Sequence, residues 1–194
     1  GEAVKPGVTT YEIDNIVRSY IEKQGAVPSF LGYGGFPASA CISVNNVVIH
    51  GIPSKELVLK EGDIVSVDVG AFYGGFHGDN AFTFPCGKIS ADAQALLDAT
   101  KESLYEGIKQ ALAFNRVGDI GNAVQKYVEA RSYSVVRDFV GHGVGAKLHE
   151  DPSVPNYGTA HRGVRLIPGM TIAIEPMVNQ GRCNVRVLDD KWTT

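Results

Sequence analysis

Two carboxylates lie inside runs that are otherwise suited to buried strands. Asp68 sits in Ile64-Val65-Ser66-Val67-Asp68-Val69, and Glu175 in Ile172-Ala173-Ile174-Glu175-Pro176. Burying an ionised carboxylate without a partner costs on the order of several kcal/mol. A salt bridge to Lys or Arg is one remedy; a cation is the other, and carboxylates combined with imidazole suit Zn, Mn, Fe or Co. Asp79, in Gly78-Asp79-Asn80, follows Asp68 by eleven residues, which places it on the next strand of a hairpin. Alone it would read as a turn residue. Histidine supplies the remaining donors. His142 lies in Gly141-His142-Gly143-Val144-Gly145, where glycines on both sides leave room for a metal or small ligand to reach the imidazole, and it is the ligand candidate. His149 comes seven residues later, outside the i, i+4 spacing of a helical pair, so it need not hold the same ion. His50 ends the apolar run Val47-Val48-Ile49 beside Gly51. Any one of these alone would more often be a structural histidine; together they point to a site. His77 and His161 sit in polar, glycine-rich loops and read as exposed or as outlying support.

Other chemistries lack their motifs. The chain contains no GxSxG elbow, no GxxxxGK[ST] loop and no HExxH helix. Gly32-Tyr33-Gly34-Gly35 lacks dinucleotide spacing and reads as a substrate-facing loop.

The elements that must carry these residues can be read from pattern. Thr9 and Glu12 form a capping-box pair ahead of Ile13, Ile16, Val17, Tyr20 and Ile21, a helix that Gly25 ends. Residues 41–44 and 47–49 read as a hairpin across Asn45-Asn46, followed by strands at 63–69 and 76–84. Helices are expected over 90–113 and 119–131, and strands over 171–178 and 183–188.

An offset of 107 relates two parts of the chain. Ile13, Asn15, Val17, Tyr20 and Glu22 fall on Ile120, Asn122, Val124, Tyr127 and Glu129; Leu59, Gly62, Val65, Val67 and Asp68 fall on Leu166, Gly169, Ile172, Ile174 and Glu175. Two windows in one register indicate a duplication into related α+β halves, with Asp68 and Glu175 at equivalent strand positions.

Composition bounds the rest. The 194 residues are 44% hydrophobic and 20% charged, enough for a real core in one domain or two compact halves. A net charge of −3 argues against a partner held through phosphate neutralisation, so no nucleic acid is expected. No apolar run reaches the ~18 residues of a membrane span, and no signal peptide is recognisable, which makes the cytoplasm the expected compartment. The three cysteines lack CxxC spacing, so neither a disulfide framework nor a zinc ribbon is indicated. Glycine, 23 residues of 194, predicts many tight turns or close backbone approaches. The start at Gly1, without an initiator Met, reads as a fragment.

Taken together, Val48-Ile49-His50-Gly51-Ile52-Pro53, Val67-Asp68-Val69-Gly70, Gly78-Asp79, Gly141-His142-Gly143-Val144-Gly145, His149-Glu150-Asp151-Pro152 and Ile174-Glu175-Pro176-Met177 resemble the type I methionine aminopeptidases, in order across nearly all of the chain. The resemblance implies an α+β pita-bread fold: two pseudo-symmetric halves around a curved antiparallel sheet with helices outside. A single catalytic domain would then occupy 1–194, with halves of about 1–88 and 89–194, the second lacking its last strand. It further implies two divalent metal ions (Co, Mn, Fe, Zn or Ni, the identity left open), about 3.5–4 Å apart. Asp68 and Asp79 would be ligands, Asp79 bridging the two ions, and His142 with Glu175 would bind one of them. A metal-bridging water would be the nucleophile. Glu175 would accept its proton, His149 would donate to the developing oxyanion, and His50 would contact the scissile amide nitrogen. Phe30, Tyr33, Phe36, Cys41, Leu148 and Trp192 would line an apolar slot for the methionine side chain, with His50 and His149 also touching substrate. Phe30 and Leu148 depart from the Cys and Phe frequent at those places.

The resemblance also implies a second bridging Glu one strand further on. The chain stops at Asp189-Asp190-Lys191-Trp192-Thr193-Thr194, where neither Asp fits that motif. A C-terminal segment beyond Thr194 is the expectation, and a naturally shortened, inactive relative the alternative. The implied function is removal of the initiator Met from nascent chains with a small second residue, at the ribosome, by a cytoplasmic monomer with no membrane attachment. Competing readings are a non-catalytic pita-bread module that binds peptides or proteins, and an Xaa-Pro-directed peptidase of the same fold.

Overall fold

The computed structural model describes residues 1–194 and divides them into two compact units, Gly1–Ala93 with Arg186–Thr194, and Gln94–Val185.

In the first unit, helix α1 spans Thr10–Lys23. Its capping box is formed as expected: Glu12 N–H donates to Thr9 Oγ1 at 3.2 Å and Thr9 N–H to Glu12 Oε2 at 2.8 Å. At the other end, Gly25 N–H donates to Glu22 O and Ala26 N–H to Ile21 O, a Schellman closure with Gly25 left-handed at φ 73°. Ile13 and Ile21 are buried and Val17 packs against the cluster that holds Ile13, whereas Ile16 and Tyr20 face solvent, so the buried stripe is narrower than the apolar pattern.

The sheet of this unit contains β1 (Val27–Pro28), β2 (Ala40–Val44), β3 (Ile64–Tyr73) and β4 (Phe76–Pro85). All pairs are antiparallel: β4 runs along one edge of β3, while β2 and β1 share the other. Gly74 and Gly75, at φ 58° and 92°, make the two-residue turn of the β3–β4 hairpin, the primed geometry that matches strand twist. Ile13, Ala40, Ile42, Leu59 and Val65 pack the core beneath.

Residues 47–49 are not a strand. Asn45, left-handed at φ 54°, uses its side chain to tie Asp63 and the Ile64 N–H rather than to turn a hairpin. The edge of β2 is met by Gly51, whose carbonyl accepts from Ile42 N–H at 2.8 Å, and Val48 and Ile49 pair instead with Thr194.

The second unit holds most of α2 (Ala91–Ile108), then α3 (Val117–Glu129), β5 (Ser134–Val135), β6 (Gly141–Gly143), β7 (Glu150–Val154) and β8 (Val178–Asn179). β5 pairs with β8 and β6 with β7. Val117, Ile120, Val154 and Leu166 form one core cluster; Val124, Val128 and Val135 form another. Helix α2 stops short of residue 113 because the chain leaves it to pair, Phe114 N–H reaching Leu166 O at 2.8 Å. Within 171–178 the ladder is reduced to a bridge at Ile172 and the start of β8. Pro176 has no N–H to extend it. Residues 183–188 form no strand; Leu188 N–H closes a local turn onto Thr193 O.

The 107-residue offset recurs in the hydrogen bonds. The Thr9–Val58 bridge matches Arg116–Arg165, and the β1–β3 pair Val27–Phe72 matches the β5–β8 pair Ser134–Asn179. Helix α3 closes as α1 does, with Ser132 N–H to Glu129 O and Tyr133 N–H to Val128 O. Ser132 therefore occupies the left-handed position of Gly25, at φ 61°. A non-glycine residue there costs about 1 kcal/mol. Ser132→Gly is expected to raise the thermal midpoint by about 2–4 °C, measured by scanning calorimetry; an unchanged or lower midpoint contradicts the strain.

Candidate active site

In the first unit, β3 presents Asp68 opposite Ala81 and β4 presents Asp79 opposite Gly70. A two-residue step between neighbouring strands leaves both side chains on one face. Both are partly buried. Burial, then the adjacent Asp79 carboxylate and a side-chain hydrogen bond with it, pushes Asp68 up to about 7. Two carboxylates this close do not both ionise without a counter-charge, and a divalent cation is the counter-charge that hard oxygen donors accept. Cys41 stands opposite Asp68 on β2, and burial, reinforced by Asp68, Asp79 and Asp14, drives its thiol upward. Asp14 fixes the start of β2 by accepting from the Ser39 and Ala40 N–H groups, each at 2.8 Å.

His50 is left-handed at φ 57°, and burial lowers its pKa below the ordinary histidine value. The turn is fixed from both sides. A side chain on Gly51 would stand 2.3 Å from Ile42 O, and Gly51 N–H donates to Ser43 Oγ at 3.1 Å. The Trp192 ring lies 6.3 Å from His50 and 5.1 Å from Phe36, edge-on in both cases. Asp190 holds this tail, accepting from Trp192 N–H, Thr193 N–H and Thr193 Oγ1. Phe30, Phe36 and Cys41 are buried, whereas Tyr33 is exposed.

In the second unit, the His142 carbonyl accepts from Ala173 N–H at 2.7 Å, tying β6 to the segment that carries Glu175. His142 Nδ1 lies 2.8 Å from Gly143 O. A carbonyl only accepts, so Nδ1 carries the proton. Nε2 faces Glu175 Oε1 at 3.2 Å. An imidazole nitrogen and a carboxylate oxygen directed at one another are paired by a proton or a metal ion, and an Nδ1–H bonded to a backbone carbonyl is the usual support for a ligating histidine. The His149 ring is 4.1 Å from that of His142, and an open cavity of about 730 Å³ is lined by Val140, His142, Lys147, His149, Glu150 and Asp151. Leu148 is buried.

The glycines beside His142 serve another purpose than access to its ring. A side chain at Gly141 would sit 2.3 Å from Ala173 O, and one at Gly143 would sit 2.4 Å from Asp151 O, so backbone approach requires them. Outside these groups, His77 Nδ1 is 2.8 Å from Ser29 Oγ, and His161, exposed, stands 3.1 Å from Asp119. Sequence pattern missed Asn156, fully buried, whose Nδ2 donates to Glu175 O at 2.8 Å. A lone amide in a Pro155-Asn156-Tyr157-Gly158 loop reads as a turn residue and carries no other signal. Within each unit the donors come as a pair, Asp68 with Asp79 and His142 with Glu175, not as a group of three.

A sequence profile of metallopeptidase family M24 matches residues 1–194. The methionine aminopeptidase of Clostridium perfringens (strain 13 / Type A) is 57% identical over 192 residues, which cover 99% of this chain and 77% of that protein. Methionine aminopeptidase 1 of Bacillus subtilis (strain 168) is 54% identical over 190 residues, 98% of this chain and 76% of that protein. The crystal structure of methionine aminopeptidase from Thermotoga maritima matches with a TM-score of 0.97 at 47% identity, covering 99% of this chain and 77% of that one. The fold is the pita-bread fold of those enzymes, α+β with antiparallel sheets, as the resemblance implied.

Cys41 and Cys86 are buried and Cys183 is partly exposed; burial raises both inner thiols, so little thiolate forms at them at pH 8. Iodoacetamide at that pH is expected to label Cys183 alone in the native chain and all three cysteines after denaturation, read by mass spectrometry. Labelling of Cys41 as fast as Cys183 contradicts its placement.

Proposed function

The chain belongs to metallopeptidase family M24 and, within it, to the methionine aminopeptidases, and from that premise we infer that Asp68, Asp79, His142 and Glu175 are its metal ligands. It is a metal-dependent aminopeptidase that hydrolyses methionine from the N-terminus. The observation that carries this is the match at 54% and 57% identity over nearly the whole chain to proteins of that activity. The non-catalytic and proline-directed alternatives have no comparable support.

Two divalent ions, drawn from Co, Mn, Fe, Zn or Ni, are bound, and residues 1–194 act as one catalytic domain with halves of about 1–88 and 89–194. When bound, such ions acidify a water and polarise the scissile carbonyl. Asp68 and Asp79 supply the negative charge that retains cations, and the proximity of the two carboxyl groups, which pushes Asp68 upward, supports that role. Glu175 takes the proton of the attacking water as general base. His149, exposed at the cavity beside His142, donates to the oxyanion. His50, kept neutral by burial, offers an N–H to the leaving amide nitrogen. Phe30, Tyr33, Phe36, Cys41, Leu148 and Trp192 shape a slot for an unbranched thioether; the packed Phe36–Trp192 pair supports it. Substrates are nascent chains with a small second residue, met in the cytoplasm at the ribosome by a monomer.

Glu175→Gln and His149→Ala are each expected to lower kcat on Met-Ala-Ser by about 10²–10⁴-fold; rates within threefold of wild type remove their assigned roles. No Met release from that peptide by the full-length protein under Co²⁺ or Mn²⁺ overturns the catalytic reading. Adding either ion to chelator-treated protein should raise the thermal midpoint, and Asp79→Asn should abolish most of that rise. An undiminished rise in the variant excludes Asp79 as a ligand.

A further inference from the structure

We propose that Asn156 is a positioning residue that holds the main chain of Glu175, and that helix α3 braces it to do so. This rests on the reading of Glu175 as metal ligand and base. Asn156 is 0% exposed. Its amide orientation follows from its partner: the Glu175 carbonyl only accepts, so the atom 2.8 Å away is the nitrogen. Its Oδ1 is buried with no hydrogen-bond partner. An apolar side chain of the same size would avoid that penalty, so core packing does not account for an amide here. What the amide does is grip Glu175.

That grip lies where the ladder is interrupted. Ala173 N–H reaches His142 O on one side, and Met177 O accepts from Val136 N–H on the other. Between these ties stands Pro176, which donates nothing, and the Asn156 amide takes hold at Glu175 itself.

The segment carrying Asn156 is in turn seated on the backbone of α3. A side chain on Gly121 would stand 2.4 Å from Tyr157 O and 2.5 Å from Pro155 O; one on Gly118 would stand 2.4 Å from Thr159 O. Asn122 Nδ2 donates to Gly158 O at 2.9 Å, and Gly158 N–H to Gln125 Oε1 at 3.0 Å. Glycine disfavours a helix interior, yet α3 carries Gly118 and Gly121 on the face that receives this segment. Helix, loop and carboxylate-bearing segment thus form one bracket, and partners of a ligating residue typically govern metal affinity by about 10–100-fold.

Asn156→Leu keeps the branched shape and removes the donor. The variant is expected to retain its far-UV circular dichroism, to bind Mn²⁺ about tenfold more weakly by titration calorimetry, and to lose kcat on Met-Ala-Ser with little change in KM. Gly121→Ala, which leaves Asn156 in place but displaces its loop, should shift both quantities the same way, and it carries the test if the leucine variant does not fold. Mn²⁺ affinity and kcat within twofold of wild type overturn the proposal. If wild type itself binds no cation, the metal reading of Glu175 fails. Amide exchange over residues 172–177 then decides the positioning alone: faster exchange in Asn156→Leu supports it, and unchanged exchange overturns it.

Discussion

Like charges forced close together dominate the electrostatics of the first unit. Asp68 and Asp79 reach one face because β3 and β4 form a continuous hairpin in fixed register. That register is set by the two left-handed glycines of the turn, since a slip of one residue would send one carboxylate to the opposite face. Cys41 across the strand from Asp68 is an uncharged, buried neighbour that offers no compensation. The hairpin is thus well ordered around a group that is unfavourable in the absence of a cation. Such a conflict between local order and local charge marks a binding function more than a structural one.

The second unit solves a similar problem by other means. Its strands are short, and the residues bearing chemistry are held by individual bonds: His142 through its carbonyl to Ala173 and through Nδ1 to Gly143, Glu175 through its carbonyl to Asn156. A ladder fixes many residues at once, whereas here each contact fixes one. Substitutions at the supporting residues of the second unit therefore act one residue at a time.

What the sequence revealed divides along the same line. The capping box of α1, its glycine stop and the β3–β4 hairpin depend on neighbours in sequence, and their residue types announce them. The duplication was legible because it preserves those local signals at one spacing. Residues 47–49 and 183–188 form no strand because an apolar or alternating β-branched run states only that a strand is possible, while a partner strand makes one. Val48 pairs instead with Thr194, 146 positions away. Asp189 and Asp190 invited comparison with a ligand, but Asp190 is engaged in the turn that holds Trp192. The glycines around His142 suggest access to the imidazole in the sequence alone; a missing side chain looks the same whether a ligand or a backbone needs the space.

The duplicated framework also separates what positions a site from what reacts in it. Helix start, helix stop and the bridge beyond them repeat at 107 residues, down to the hydrogen bonds of the closing turn. The chemistry does not repeat: an Asp pair on a full hairpin stands in one unit, and a His–Glu pair on interrupted strands in the other. Pro176 follows Glu175, where Val69 follows Asp68. That change removes a ladder donor beside Glu175, and the Asn156 amide grips the chain there instead. The two carboxylates therefore occupy equivalent positions but sit in different surroundings, Asp68 in a continuous hairpin ladder and Glu175 in a segment tied residue by residue.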